Sequence, residues 1–247
     1  MRAARVNGES GIYHVVSRGA GQQIIFETDA DRQRYLGSLQ SLLNESSGVL
    51  LAWCLMENHV HLLVSQPLDQ LSSTMRRLNS GYALYFNLVH GRSGHLFQGR
   101  FDSEPVDTDE YLMTVVRYIH QNPWKAGITT DCHYRWSSFD LYASGSMPPG
   151  ADVVMDVFGG LDAFLAFHNQ EDAAAKCLDV VQRRIRVDDA AALSMALELF
   201  GDVGLGEVKS MPKEKRDEAL AKMKECGLTV RQIQRLTGVS LGVISQA

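Results

Sequence analysis

Two strand-like apolar runs, Val49 to Met56 and Val60 to Ser65, are separated only by a short polar turn at Glu57-Asn58. Runs this close fold back on each other as an antiparallel pair, because a parallel connection needs a dozen or more residues. The first half of the chain therefore contains an antiparallel strand pair joined by a tight turn. Upstream, Ile12 to Ser17 has apolar residues at period two and ends at Arg18-Gly19, the pattern of a strand and a turn. Asp29 to Leu43 repeats Tyr35, Leu36, Leu39, Leu42 and Leu43 on one helical face, with aspartates in the first turn where the helix dipole favours them. After Pro67 an amphipathic helix is expected over about Leu71 to Leu88. The glycine-rich loop GRSGHLFQGRF then leads to a short strand, Asp102 to Val106, and to a helix from Asp109 to Asn122 that Pro123 is expected to stop.

This order, βαββαβ plus one helix, predicts an α+β fold with a ferredoxin-like antiparallel sheet, its helices on one face and the other face open. SGSMPPGAD, Ser144 to Asp152, has the composition of a linker, so the expected organisation is a first domain over 1–145, a linker over 146–152, an acidic helical region over 153–207 and a basic tail over 208–247. Helical runs are expected around Ala163 and over 172–184, 188–200 and 212–226. Residues 151–207 carry 4 basic and 11 acidic side chains and residues 208–247 carry 8 and 4, so a net charge of −5 conceals a positive C-terminal end. With 45% hydrophobic and 21% charged residues, neither a disordered nor a fibrous chain is credible. The longest apolar stretch is far short of a membrane span and MRAARVNGES has no signal core, so a cytoplasmic protein without a membrane partner is expected. Cys54, Cys132, Cys177 and Cys226 are scattered, with no CxxC pair, which argues against a disulfide framework or a structural zinc site.

His59 and His61 flank Val60 in the third strand, so both imidazoles emerge on one face, a geometry able to chelate one ion. An isolated HxH is more often two unliganded strand histidines. The helix that follows changes the balance. At about 100° per residue, Leu112, Val116 and Ile119 form an apolar arc, while Tyr111, Tyr118 and Asn122 cluster on a separate face turned away from it. A tyrosine hydroxyl is a poor nucleophile at neutral pH unless a metal or base assists it. A divalent ion held by two imidazoles and an amide can polarise a phosphodiester oxygen, and the product of attack is a covalent phosphotyrosine.

The segments YHVVSRG (Tyr13 to Gly19), MENHVHLLV (Met56 to Val64), GHLFQGRF (Gly94 to Phe101), VRYIHQNPWKAGI (Val116 to Ile128) and YRWSSF (Tyr134 to Phe139) together resemble the HUH-class single-tyrosine transposases, and within them the REP-associated tyrosine transposases. The resemblance runs from about Ile12 to Phe139. It implies a nuclease that nicks single-stranded DNA beside a REP-like hairpin and rejoins it; monomer and homodimer are both open. By the family's motif His59 and His61 are metal ligands, Asn122 is the third ligand where many relatives have glutamine, and Tyr118 is the nucleophile, with Tyr111 as the substitute. The family uses Mg2+ or Mn2+; two imidazoles suit the softer ion, so Mn2+ is expected to bind more tightly.

Phosphate neutralisation and stacking need cations and aromatic rings. The candidates are Arg18, Arg76 and Arg77, together with Arg92, His95, Phe97 and Arg100 of the glycine-rich loop; for any single arginine an ordinary solvated charge is the simpler reading. Gly227 to Ala247 reads as a helix-turn-helix, with Thr229 and Gln232 as a capping box, a turn at Leu236-Thr237-Gly238, and a second helix capped by Ser240 that offers Leu241, Gly242, Ser245 and Gln246 to duplex DNA. The competing reading is a regulator that binds hairpins on this scaffold without catalysis. A zinc hydrolase lacks a third His or Cys ligand nearby.

Overall fold

In the computed structural model the described residues are 5–170, 177–178, 193–194, 196–197, 205–225, 228 and 230–246. The chain divides into two compact units, Met1–Val180 and Val181–Ala247. Four strands of the first unit, β1 (Ile12–Arg18), β2 (Val49–Leu55), β3 (His59–Ser65) and β4 (Asp102–Pro105), form one antiparallel sheet in the order β2-β3-β1-β4. Helix α1 (Asp29–Glu45) connects β1 to β2 and α2 (Leu68–Val89) connects β3 to β4. The start of α1 is fixed by a reciprocal capping box between Thr28 and Asp31.

Strand alternation sorts the sheet into two apolar faces. Tyr13, Val15, Leu62 and Val64 pack with Tyr35 and Leu39 of α1 and Leu71, Met75 and Leu78 of α2. The second face is not open, as the sequence pattern predicts, but covered by α3 (Asp109–Lys125). The reason lies in α3 itself. Leu112, Val115, Val116 and Ile119 must leave water, and Leu51, Ala52, Cys54 and Leu63 of β2 and β3 supply the apolar surface that receives them. Two further short helices, α5 (Asp152–Phe158) and α6 (Leu161–His168), close over α3 after α4 (Phe139–Ala143), burying Val154, Phe158 and Phe164 against Phe139 and Tyr142. The boundary expected at 146–152 therefore falls inside the first unit. The exposed edge of β2 is occupied by residues 136–138, through Leu55 N to Trp136 O at 2.8 Å and Ser138 N to Trp53 O at 3.0 Å.

Pro123 does not end α3. It lies in the last turn, and the helix runs on to Lys125, with Ala126 N donating to Asn122 O and Gly127, at φ +70°, providing the left-handed exit.

In the second unit, α7 (Lys213–Glu225), α8 (Val230–Thr237) and α9 (Leu241–Gln246) surround Val208, Leu220, Met223, Ile233, Val239 and Ile244. Helix α8 ends at Gly238, φ +69°, and the Ser240 carbonyl accepts from Ile244 N as α9 begins. Thr229, Cys226 and most of the runs 172–184 and 188–200 lie outside the described residues. Cys54, Cys132 and Cys177 are free thiols, and no helix among the described residues is long and apolar enough to cross a membrane.

Candidate active site

His59 and His61 project from β3 onto the face that α3 covers. The strand register decides their neighbours: Val16 stands opposite His61, Arg18 opposite His59, and His14 opposite Glu104 of β4. Because side chains at paired positions share a face, His14 and Glu104 arrive beside the histidine pair. Helix α3 adds Tyr118, whose ring meets His61 edge-on at 5.5 Å between centroids and His14 at 5.9 Å. One turn later it adds Asn122, whose Oδ1 lies 3.4 Å from His59 Nε2. The structure thus brings His59, His61, Tyr118 and Asn122 together. The Tyr118 face of α3 is not turned away from the core: Tyr118 is only 7% exposed and His61 is fully buried.

The hydrogen bonds fix where protons sit. Asn58 Nδ2 donates to Gln22 O, which leaves Asn58 Oδ1 to accept from His59 Nδ1–H at 2.7 Å. His59 Nε2 then carries a lone pair. Asn122 Nδ2 donates to Tyr118 O, so Asn122 Oδ1 is an acceptor too. Two acceptors facing each other at 3.4 Å are a pair that a cation reconciles. His61 Nε2 is buried and makes no hydrogen bond, a second donor atom ready for an ion. Burial, followed by the neighbouring His59 and His14, drives the His61 imidazole well below its ordinary pKa, which keeps it in the neutral form a metal requires. Two imidazole nitrogens and an amide oxygen are, as donor chemistry, a set of the kind a divalent ion takes. No cluster of three or more His, Cys, Asp or Glu with metal-holding geometry exists among the described residues, so the amide oxygen would have to complete the set.

Tyr111, the substitute nucleophile, gives its hydroxyl hydrogen to Glu104 Oε1. Burial raises the Glu104 carboxyl above its ordinary pKa, opposed by the backbone N–H of Leu178 at 3.1 Å. Lys125 Nζ lies 4.8 Å from the centroid of the Tyr118 ring, a contact the sequence reading missed although it lies seven residues on along the same helix. His14 and Glu104 were missed too, because their nearness depends on which strands pair.

The expected DNA contacts scatter. Arg76 and Arg100 are exposed and line one cavity of about 490 Å³ with Arg5. Arg77 is held by Glu45 at 2.7 Å, the ordinary fate of a surface charge. Arg92 hydrogen-bonds Gln23 Oε1 and lies over Phe86, His95 is exposed, and Arg18 is half-buried at the end of β1. Phe97 is not available for base stacking. It is 9% exposed and packs in the core against Tyr82, and Leu96 and Phe101 of the same loop are buried with it, because large apolar side chains in a polar loop are drawn inward. In the second unit Ser240 is exposed; the side chains of Ser245 and Gln246 lie outside the described structure.

Residues 9–122 match the sequence profile of the family described as "Transposase IS200 like". No curated protein matches the chain by sequence. Among solved structures, a REP-associated tyrosine transposase bound to a REP hairpin aligns at 18% identity and a TM-score of 0.49, over 60% of this chain and 87% of the other. A protein from Deinococcus radiodurans assigned as a transposase aligns at 16% identity and a TM-score of 0.34, over 44% of this chain and 89% of the other.

Proposed function

We propose that this chain, whose residues 9–122 match the IS200-like transposase profile, nicks and rejoins single-stranded DNA beside a REP-like hairpin, in the manner of the ferredoxin-like HUH nucleases its motifs resemble. The observation that carries the reading is the convergence of Tyr118 and Asn122 from one helix on the His59–His61 pair of a strand distant in sequence. A chain that only bound DNA has no physical use for a buried, unsatisfied imidazole nitrogen beside a tyrosine.

In this mechanism the Tyr118 hydroxyl gives up its proton as its oxygen attacks a phosphodiester phosphorus. The bond from phosphorus to the 3′ oxygen breaks, the departing strand takes a proton and leaves as a 3′ hydroxyl, and the 5′ phosphate stays on tyrosine. Joining is the reverse, with the 3′ hydroxyl of another strand as attacker. His59, His61 and Asn122 would hold Mg2+ or Mn2+, which when bound polarises a phosphate oxygen and stabilises charge at the reacting phosphorus. Lys125 over the Tyr118 ring sets a positive charge where the phenolate develops. Arg76 and Arg100, in one groove with Arg5, suit the phosphates of the bound strand. In the second unit, α8 and α9 with their intervening turn and basic surroundings suit duplex DNA.

The test is incubation of the protein and Mn2+ with end-labelled single-stranded hairpins taken from DNA beside its own gene, followed by denaturing electrophoresis. A covalent adduct is expected with the wild type and with Tyr111→Phe, and none with Tyr118→Phe. An adduct that survives Tyr118→Phe and disappears in Tyr111→Phe overturns the assignment of the nucleophile.

A further inference from the structure

Behind the pair that would hold the ion stands a third imidazole with no role in the mechanism above. His14 and His61 are both fully buried, and His14 Nε2 lies 3.0 Å from His61 Nδ1. One proton lies between them. The opposite ring nitrogen of His14, Nδ1, is 4.0 Å from Glu104 Oε1, and the same oxygen receives the Tyr111 hydroxyl and the Leu178 N–H.

Two arrangements of the proton are open, and they leave different atoms facing each other. If His14 donates, its Nδ1 lone pair points at the Glu104 carboxylate, and His61 Nε2 becomes an N–H donor sealed in the protein with no acceptor. The lone pair set against a carboxylate is what disfavours this arrangement. If His61 donates, His14 Nδ1–H faces the carboxylate at 4.0 Å, an electrostatic contact longer than a hydrogen bond, and His61 Nε2 presents a lone pair. The electrostatics of Glu104 select the second arrangement.

We propose that His14, backed by Glu104, is a positioning residue that holds His61 in its Nδ1–H form and so keeps the Nε2 lone pair directed into the site. Its value for an ion rests on the function proposed above; the tautomer itself does not. Metal-bound histidines commonly hand their second ring nitrogen to a carboxylate or carbonyl. Here the carboxylate acts through an intervening imidazole, because β1 lies between β3 and β4 and separates Glu104 from His61 by one strand.

The experiment is long-range proton–nitrogen correlation NMR on the full chain, metal-free, with nitrogen-15 histidine. Wild-type His61 is expected as the Nδ1–H tautomer, although histidine in water prefers Nε2–H. In His14→Leu it is expected to revert to Nε2–H, and in His14→Gln, whose amide oxygen accepts, to remain Nδ1–H. Mn2+ affinity by titration calorimetry is expected to fall on the order of 10- to 100-fold in His14→Leu and to be largely restored in His14→Gln. If His14→Leu does not fold, the wild-type spectrum and Glu104→Gln, on the partly exposed edge strand, decide the matter. Glu104→Gln is expected to raise the Nε2–H population of His61. An Nε2–H His61 in the wild type, or a tautomer indifferent to both positions, overturns the proposal. A wild type that binds no Mn2+ but shows the expected tautomers upholds the positioning and overturns the metal reading alone.

Discussion

Helix α3 carries Tyr118 on one side and, two residues later, the buried His120 on another, and that histidine makes the fold sensitive to pH. His168 Nδ1–H donates to Phe164 O at 2.8 Å, so its Nε2 accepts from His120 Nδ1–H at 2.9 Å, and His120 Nε2 accepts from the Ser138 hydroxyl at 2.8 Å. Ser138 Oγ accepts in turn from Trp53 N–H of β2. Each proton in this chain is fixed by the one before it; a further proton on His168 Nε2 sets two N–H donors against each other, and one on His120 Nε2 displaces the hydrogen that the Ser138 hydroxyl donates. Burial holds His168 at a pKa of about 4, and burial together with the neighbouring His168 holds His120 well below its ordinary range. Both folded-state values lie below the unfolded one, so the stabilisation is complete above about pH 6.5 and is lost as pH falls toward 4. For His168 alone the loss from about pH 7.5 to about pH 5 comes to about 2 kcal/mol, and His120 adds a loss of the same sign. A melting temperature lower by about 4–8 °C corresponds to the His168 share in a chain of this size. Thermal melts of the wild type and His168→Gln across that range test it. His168→Gln offers His120 an amide oxygen without titrating, so its curve should be flatter. Parallel curves for the two proteins refute the reasoning.

Three further outcomes are expected. His59→Ala and His61→Ala should each abolish cleavage while leaving hairpin binding, measured by anisotropy, close to wild type, because binding rests on phosphate contacts; equal loss of both would make the pair structural. Asn122→Ala should weaken Mn2+ binding measured by calorimetry, whereas Asn122→Gln should retain most of it; a wild-type affinity in Asn122→Ala removes the amide from the ligand set. Removing residues 208–247 should spare adduct formation on short single strands while weakening binding to substrates that include duplex, and each lost phosphate contact should flatten the log–log salt slope by about 0.9. Identical slopes would leave the last unit without a DNA contact.

How much of this was legible in the sequence depends on the range over which each feature is decided. The hairpin of β2 and β3, the shared face of His59 and His61, and the joint position of Tyr118 and Asn122 are set by periods of two and 3.6 within one element, and the structure has them. The side of the sheet taken by α3 is not set that way. Its apolar stripe demands burial but is silent on where, and the choice falls to the apolar surface of Ala52, Cys54 and Leu63. The same holds for α5 and α6, whose Val154, Phe158 and Phe164 look in sequence like the start of a new domain and are the outer layer of the first. Phe97 sits in a glycine-rich segment suited to contact DNA, and only the position of Tyr82 on α2 shows that its ring is buried.

The least legible part is the layer behind the two histidines, and the cause is topological. His14 lies in an apolar strand run, where a single histidine has the pattern of a residue facing water, and Glu104 lies on an edge strand, where carboxylates are common. Neither is unusual alone. Their meaning comes from β1 being inserted between β3 and β4, two strands joined through α2, so that one strand hands a side chain to each neighbour. An order in which β4 paired directly with β3 would bring a carboxylate against His61 and leave no place for His14. The sheet order that carries the histidine pair therefore also sets an intermediary between His61 and the carboxylate, and an imidazole can fill that place because it accepts at one ring nitrogen while donating at the other.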